Sequence, residues 1–172
     1  MLDLIIKNGQ CYINGKLEDL DVAIKNGKIE EIGQISDKAK ETIEAKGLIV
    51  LPGCIDTQTH FREPGSTDTE DLHSGSKAAI VGGITSVFEM PNTNPPTSTK
   101  KEFQKKLDLA KNRMYCNYAF YFGATADNAE DLANLKKLEG CCGIKLFAGS
   151  STGNLLVADE KDIEKVFKNS SK

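Results

Sequence analysis

The rhythm of hydrophobic and polar positions changes once along the chain. Up to about residue 52 the apolar residues fall in short strand-like runs at residues 2–7, 10–13, 21–25, 28–32 and 48–51. Asn8-Gly9, Asn14-Gly15 and Asn26-Gly27 stand between them. Asn-Gly favours the positive dihedrals of tight hairpin turns, so this segment reads as a small antiparallel sheet. Beyond Pro52, apolar runs at residues 54–57, 86–90, 118–122 and 143–147 alternate with stretches of helical period. That alternation predicts βα units on a parallel sheet.

Helix signals support the second reading. Thr99 with Glu102, and Asp127 with Glu130, have the spacing of capping boxes ahead of apolar stripes. Asp159 is placed to cap a last helix whose buried stripe would be Ile163, Val166 and Phe167. Gly82-Gly83 closes the first helix as a C-cap. The predicted fold class is α/β: an antiparallel β module over residues 1–52, then four βα units over residues 53–172. A complete (β/α)8 barrel takes roughly 200 to 250 residues. The second segment would supply about half of one, and a free-standing four-stranded open sheet is the alternative.

Composition narrows the function classes. The 172 residues carry 22 Lys and Arg against 25 Asp and Glu, a formal charge of −3, with 39% hydrophobic residues. This suits a folded globular chain and offers no basic surface, so no nucleic-acid partner is expected. No apolar run approaches the ~20 residues of a membrane helix, and Asp3 sits where a signal peptide would be positive. No membrane association and a cytoplasmic location are expected. The five cysteines lack C-x-x-C spacing and read as reduced thiols, Cys54 and Cys116 as small buried hydrophobes.

The candidate chemistry lies at the ends of the predicted strands. Asp56-Thr57-Gln58-Thr59-His60-Phe61-Arg62-Glu63-Pro64-Gly65 follows the first run after Pro52. If the strand stays extended, Asp56, Gln58 and His60 share a face and Arg62 follows them. His60 is placed as a metal ligand would be, though a hydrogen-bonding structural role suits it too. Met90-Pro91-Asn92-Thr93-Asn94-Pro95-Pro96 puts amides on a proline-stiffened loop after the second strand. Lys145 lies in an apolar strand, where burial would favour a neutral amine able to form a Schiff base, act as a base or take up carbon dioxide as a carbamate. The opposing reading is a strand-edge lysine in solvent. Residues 149–153 read as a flexible loop, His73 as a surface residue, and the lysines between 100 and 111 as one solvated helix face.

Together, the segment from Pro52 to Gly65, the segment Glu89-Met90-Pro91-Asn92-Thr93-Asn94-Pro95 and Gly143-Ile144-Lys145-Leu146-Phe147 resemble the dihydroorotase branch of the amidohydrolase superfamily. The resemblance implies a metal-dependent (β/α)8 hydrolase with a small β-sandwich, to which residues 1–52 would contribute. It implies zinc, one or two ions, held in part by His60 and by a carboxylated Lys145 that also serves catalysis, with Arg62 and Asn92 on the substrate carboxylate. The implied reaction is reversible ring opening of dihydroorotate to carbamoyl aspartate in pyrimidine biosynthesis. Gln58 departs from the family pattern, which has histidine there, and the later metal histidines and the general-base aspartate have no counterpart in this sequence. A fragment inactive alone, completed by a C-terminal half, is therefore expected. A non-catalytic partner of aspartate transcarbamoylase, or a hydantoinase-like or allantoinase-like cyclic amidase, is the alternative.

Overall fold

The computed structural model describes residues 1–150 and 154–171. The chain forms two compact units, Met1–Pro52 and Gly53–Lys172.

In the first unit, strands β1 (Leu2–Ile13), β2 (Lys16–Lys25) and β3 (Lys28–Gly33) form antiparallel hairpins. Asn14 and Gly15 have φ of 50° and 83°, Asn26 and Gly27 of 51° and 72°. Both central residues are thus left-handed, as the tightest hairpin turn requires. Asn8-Gly9, expected as a third turn, is instead a bulge inside β1, where the pairing slips between Ile6 and Gly9. The Asp21 carboxylate fixes it by accepting from the Asn8 N–H at 2.9 Å. A Cβ on Gly9 would stand 2.5 Å from Val50 Cγ2, so the bulge also needs glycine for close approach. Strands β4 (Ala39–Glu44) and β5 (Ile49–Val50) run parallel to β1, which makes the sheet mixed rather than purely antiparallel. Apart from half-buried Ala39, β4 is exposed throughout, which is why its polar sequence carries no strand signal. Leu2, Ile5, Ala23 and Ile35 form this unit's core.

The second unit is the expected succession of parallel strands and helices: β6 (Cys54–Thr59), α1 (Leu72–Val81), β7 (Ile84–Glu89), α2 (Lys100–Ala110), β8 (Asn117–Gly123), α3 (Leu132–Leu135), β9 (Cys141–Lys145) and α4 (Glu160–Ser170). The sheet order is β6-β7-β8-β9, every pair parallel. All four strand C-termini therefore lie along one rim, where the sites of such folds are built. The core gathers Leu72, Val87, Phe103, Phe120, Phe122 and Leu132 between sheet and helices.

Thr99 caps α2, accepting from Glu102 N–H at 3.2 Å, and Asp159 caps α4, accepting from Lys161 N–H at 2.9 Å. The box expected from Asp127 and Glu130 does not form. Asn128 and Thr125 exchange side-chain to backbone bonds of 2.9 and 3.2 Å instead, and α3 is a single turn beginning after Asp131. An asparagine side chain competes well for nearby backbone groups, so the chain turns there rather than entering a helix. On α4, Val166 is buried but Phe167 is 63% exposed, so the stripe is narrower than expected. Cys116 is buried as expected; Cys54, at the start of the outer strand β6, is exposed. Gly82 closes α1 and Gly83 follows at φ 83°, the left-handed step after a helix end. No helix among the described residues is long and apolar enough to cross a membrane. Of the loop at residues 149–153, Ser151, Thr152 and Gly153 lie outside the described residues.

Candidate active site

The pairing of β6 with β7 is irregular where chemistry was expected. Asp56 faces Val87 and Thr59 faces Glu89, so β6 spends three residues where β7 spends two. This bulge breaks the even alternation that would have put Asp56, Gln58 and His60 on one face. Gln58 is exposed, with its N–H on Asp56 Oδ1 at 2.9 Å, while Thr59 is buried and donates to the Phe88 carbonyl. His60, the next residue, is half-buried, with Nδ1 2.9 Å from Asn92 Oδ1. With the amide oxygen accepting, the proton sits on Nδ1 and Nε2 keeps its lone pair, the arrangement that prepares an imidazole to ligate.

Burial pushes the His60 imidazole below its ordinary range; the Asn92 bond opposes this, and the charges of Arg62, Lys145 and Lys106 add to the lowering. Folded His60 resists a proton that the unfolded chain accepts near 6.5, so its contribution to stability is lost as pH falls through that value. Glu89 acts oppositely in the same window, because its carboxyl is raised to about 7 by burial and its contribution is lost as pH rises. The His60 effect is therefore read as a difference. The stability gap between the wild type and His60→Gln, measured by urea unfolding, is expected to shift against the wild type between pH 7.5 and 5.5.

Arg62 does not continue the extended strand. Its φ is 59°, a left-handed conformation that a non-glycine residue adopts only when its surroundings impose it. Both neighbours impose it. Phe61 is buried against α1 at Gly75, where a Cβ would lie 2.5 Å from the ring. Glu63 is buried and gripped: Arg113 donates to Oε1 at 2.8 Å and to Oε2 at 3.1 Å, and the Leu72 N–H donates to Oε2 at 2.9 Å. Held between them, Arg62 lines a cleft of about 490 Å³ together with Ser66, Asn92, Asn94 and Asn154. Among the described residues no carboxylate pairs with Arg62, whereas Arg113 is held by Glu63 and Asp71. A larger cleft, about 860 Å³, runs along α2 beside Tyr118 and Leu138 and includes none of the candidate residues.

Lys145 ends β9 opposite Gly123, so it stands on the same rim as His60 and Asn92. It is half-buried rather than sequestered, with Nζ 5.1 Å from the Phe147 ring centroid. Among the described residues the fully buried lysine is Lys106, in the run expected to be a solvated face; it pairs with Glu89, and neither side chain is more than 1% exposed. Arg62, Asn92 and His60 are thus brought together, and Lys145 lies within electrostatic reach of His60. Glu63, Arg113, Glu89 and Lys106 are the supporting residues that sequence reasoning missed.

The donor set does not fit a metal unaided. Among the described residues no group of three or more His, Cys, Asp or Glu side chains could hold an ion. One imidazole and one lysine fall short of the three protein ligands of a catalytic zinc.

A sequence profile described as the amidohydrolase family matches residues 49–157. A dihydroorotase of Methanosarcina mazei is 38% identical over 162 residues, covering 93% of this chain and 35% of that protein. An allantoinase of Escherichia coli is also 38% identical over 162 residues, covering 94% and 36%. Among solved structures, the L-hydantoinase (dihydropyrimidinase) of Arthrobacter aurescens superposes with a TM-score of 0.86 at 28% identity, covering 97% of this chain and 38% of that one. The chain thus spans about 35% of the length of the curated relatives it matches, and its parallel sheet corresponds to part of a hydantoinase-like barrel.

Proposed function

Because the chain belongs to the amidohydrolase family, we propose that it carries the carboxylate-holding side of a cyclic-amide hydrolase site, whose substrate pair is dihydroorotate and carbamoyl aspartate of pyrimidine synthesis. The observation that carries this reading is the cleft that joins the Arg62 guanidinium to Asn92, Asn94 and Asn154. A planar cation that forms no ion pair among the described residues, flanked by amide donors, suits a carboxylate. The dihydroorotase relative supports the same substrate class. His60 and Lys145 are the groups proposed to meet the reacting amide from the same rim. Turnover needs further donors that the described residues do not supply, so this chain alone is expected to bind without opening the ring. A second reading, allantoin or a hydantoin as substrate, is favoured by the equally similar allantoinase and by the hydantoinase superposition.

The two readings part at Arg62, since neither allantoin nor a hydantoin ring carries a carboxylate. Calorimetric titration of the purified chain with N-carbamoyl-L-aspartate is expected to show binding that Arg62→Met weakens roughly tenfold or more, the loss of a charge-assisted pair. Tighter binding of allantoin, indifferent to Arg62→Met, would replace the first reading with the second.

A further inference from the structure

The Glu89–Lys106 pair is unexplained by stability. Glu89 ends β7 and Lys106 lies on the inner face of α2 with Phe103 and Ala110. Burial raises the carboxyl of Glu89 and lowers the ammonium of Lys106, so desolvation outweighs the attraction between them on both sides. A pair of well-packed apolar residues would hold the same space at no greater cost.

Its contacts point elsewhere. Lys106 Nζ touches Glu89 Oε2, donates to the Met90 carbonyl at 2.9 Å and lies 5.2 Å from the Phe120 ring centroid. Met90 is the residue at which the chain leaves β7 for the Asn92 loop, and its own N–H donates to the Thr59 carbonyl at 2.9 Å. From there the loop is braced internally. Thr93 and Thr97 both donate their N–H to the Pro91 carbonyl at 2.9 Å, and the Thr97 carbonyl accepts from Gly123 at 2.8 Å. The other partner stands against the neighbouring strand end: Glu89 lies opposite Thr59 in the β6–β7 pairing, the residue that leads into His60. The ion pair therefore sits where β7 gives way to the Asn92 loop and beside the end of β6 that leads into the His60–Arg62 turn, and the two loops also meet directly where Asn94 N–H donates to the Pro64 carbonyl at 3.0 Å.

We propose that Glu89 and Lys106 are positioning residues, a buried pair that fixes the Asn92 loop and the His60–Arg62 turn relative to each other so that amide, imidazole and guanidinium converge. This rests on the reading of Arg62 and Asn92 as substrate-holding groups. It assigns the pair no contact with substrate.

The test separates placement from folding. In the double variant Glu89→Gln with Lys106→Met, no charge is left buried, and the melting temperature is expected to stay within a few degrees of the wild type. Amide hydrogen exchange at Met90, Asn92, Thr93 and Thr97 is expected to accelerate at least tenfold, and N-carbamoyl-L-aspartate binding to weaken by a similar factor. Wild-type exchange and binding in a folded double variant would overturn the proposal. If the double variant does not fold, Glu89→Asp decides, because it keeps the charge and withdraws the carboxylate by one methylene. Faster exchange at Met90 and Thr97 then supports the pair as a positioning device, and unchanged exchange overturns it. Exchange that responds as expected in a chain with no affinity for carbamoyl aspartate would sink the substrate reading and leave the pair's role standing.

Discussion

Phe120→Ala is expected to destabilise the second unit by about 3–5 kcal/mol, the usual range for deleting a fully buried aromatic side chain. Phe120 forms the last pair of the β7–β8 ladder, opposite Glu89, with no exposed surface. Its ring packs in the core beside Tyr118, centroids 5.6 Å apart, and presents a face to the Lys106 ammonium. The substitution therefore removes both a large apolar volume and the soft partner of a buried charge, and the second loss adds to the cavity cost. Domains of this size are stable by only about 5–15 kcal/mol, so the variant should unfold at much lower urea. Urea titration followed by circular dichroism checks the result, with the two units fitted as separate transitions. Phe167→Ala is the matched control. That ring is 63% exposed on α4, and its removal should stay within about 0.5 kcal/mol of the wild type.

The contrast between these two phenylalanines marks what the sequence made legible. Strand order in the second unit follows from alternation, because four apolar runs separated by helical periods leave one simple parallel solution. The hairpins at Asn14-Gly15 and Asn26-Gly27 follow from residues that tolerate left-handed dihedrals, as do the helix starts at Thr99 and Asp159 from their side-chain oxygens. Legibility fails where a residue's partner is remote. Glu63 and Arg113 are 50 positions apart, and nothing in either segment announces the other. Asn8-Gly9 has the same dipeptide as two true turns, yet Asp21 captures its backbone and makes it a bulge.

Lys106 was concealed differently. The run from Lys100 to Lys111 alternates charges in the manner of a solvated surface, but Phe103, Lys106 and Ala110 fall on one face at helical spacing. A lysine on an apolar stripe, with a glutamate at the end of the preceding strand, was the available signal. The binding groups were readable as types because guanidinium, amide and imidazole clustered after consecutive strands. Their geometry was not, since the β6 bulge and the left-handed Arg62 both depend on groups that arrive later in the chain.

A large functional effect outside the cleft itself is expected at one such late group. Arg113 fixes Glu63 through two guanidinium bonds while also donating to the Leu109 carbonyl at 3.0 Å, so it ties the Arg62 turn to the end of α2. Arg113→Leu leaves the Glu63 carboxylate with the Leu72 N–H alone. Removing one partner of a buried pair costs about 3–5 kcal/mol, but the Arg113 side chain is 36% exposed and water offsets part of the loss, so about 2 kcal/mol is expected. Arg62, no longer forced into its left-handed conformation, should relax toward extended backbone and leave the cleft, weakening carbamoyl aspartate binding roughly tenfold, about 1.4 kcal/mol. Arg113→Lys discriminates between charge and geometry. A lysine restores attraction to Glu63 but not the planar two-point grip, so stability should recover more fully than binding. If urea midpoints and calorimetric affinities instead recover together, charge alone holds the turn, and the directional clamp on Arg62 has no part in shaping the cleft.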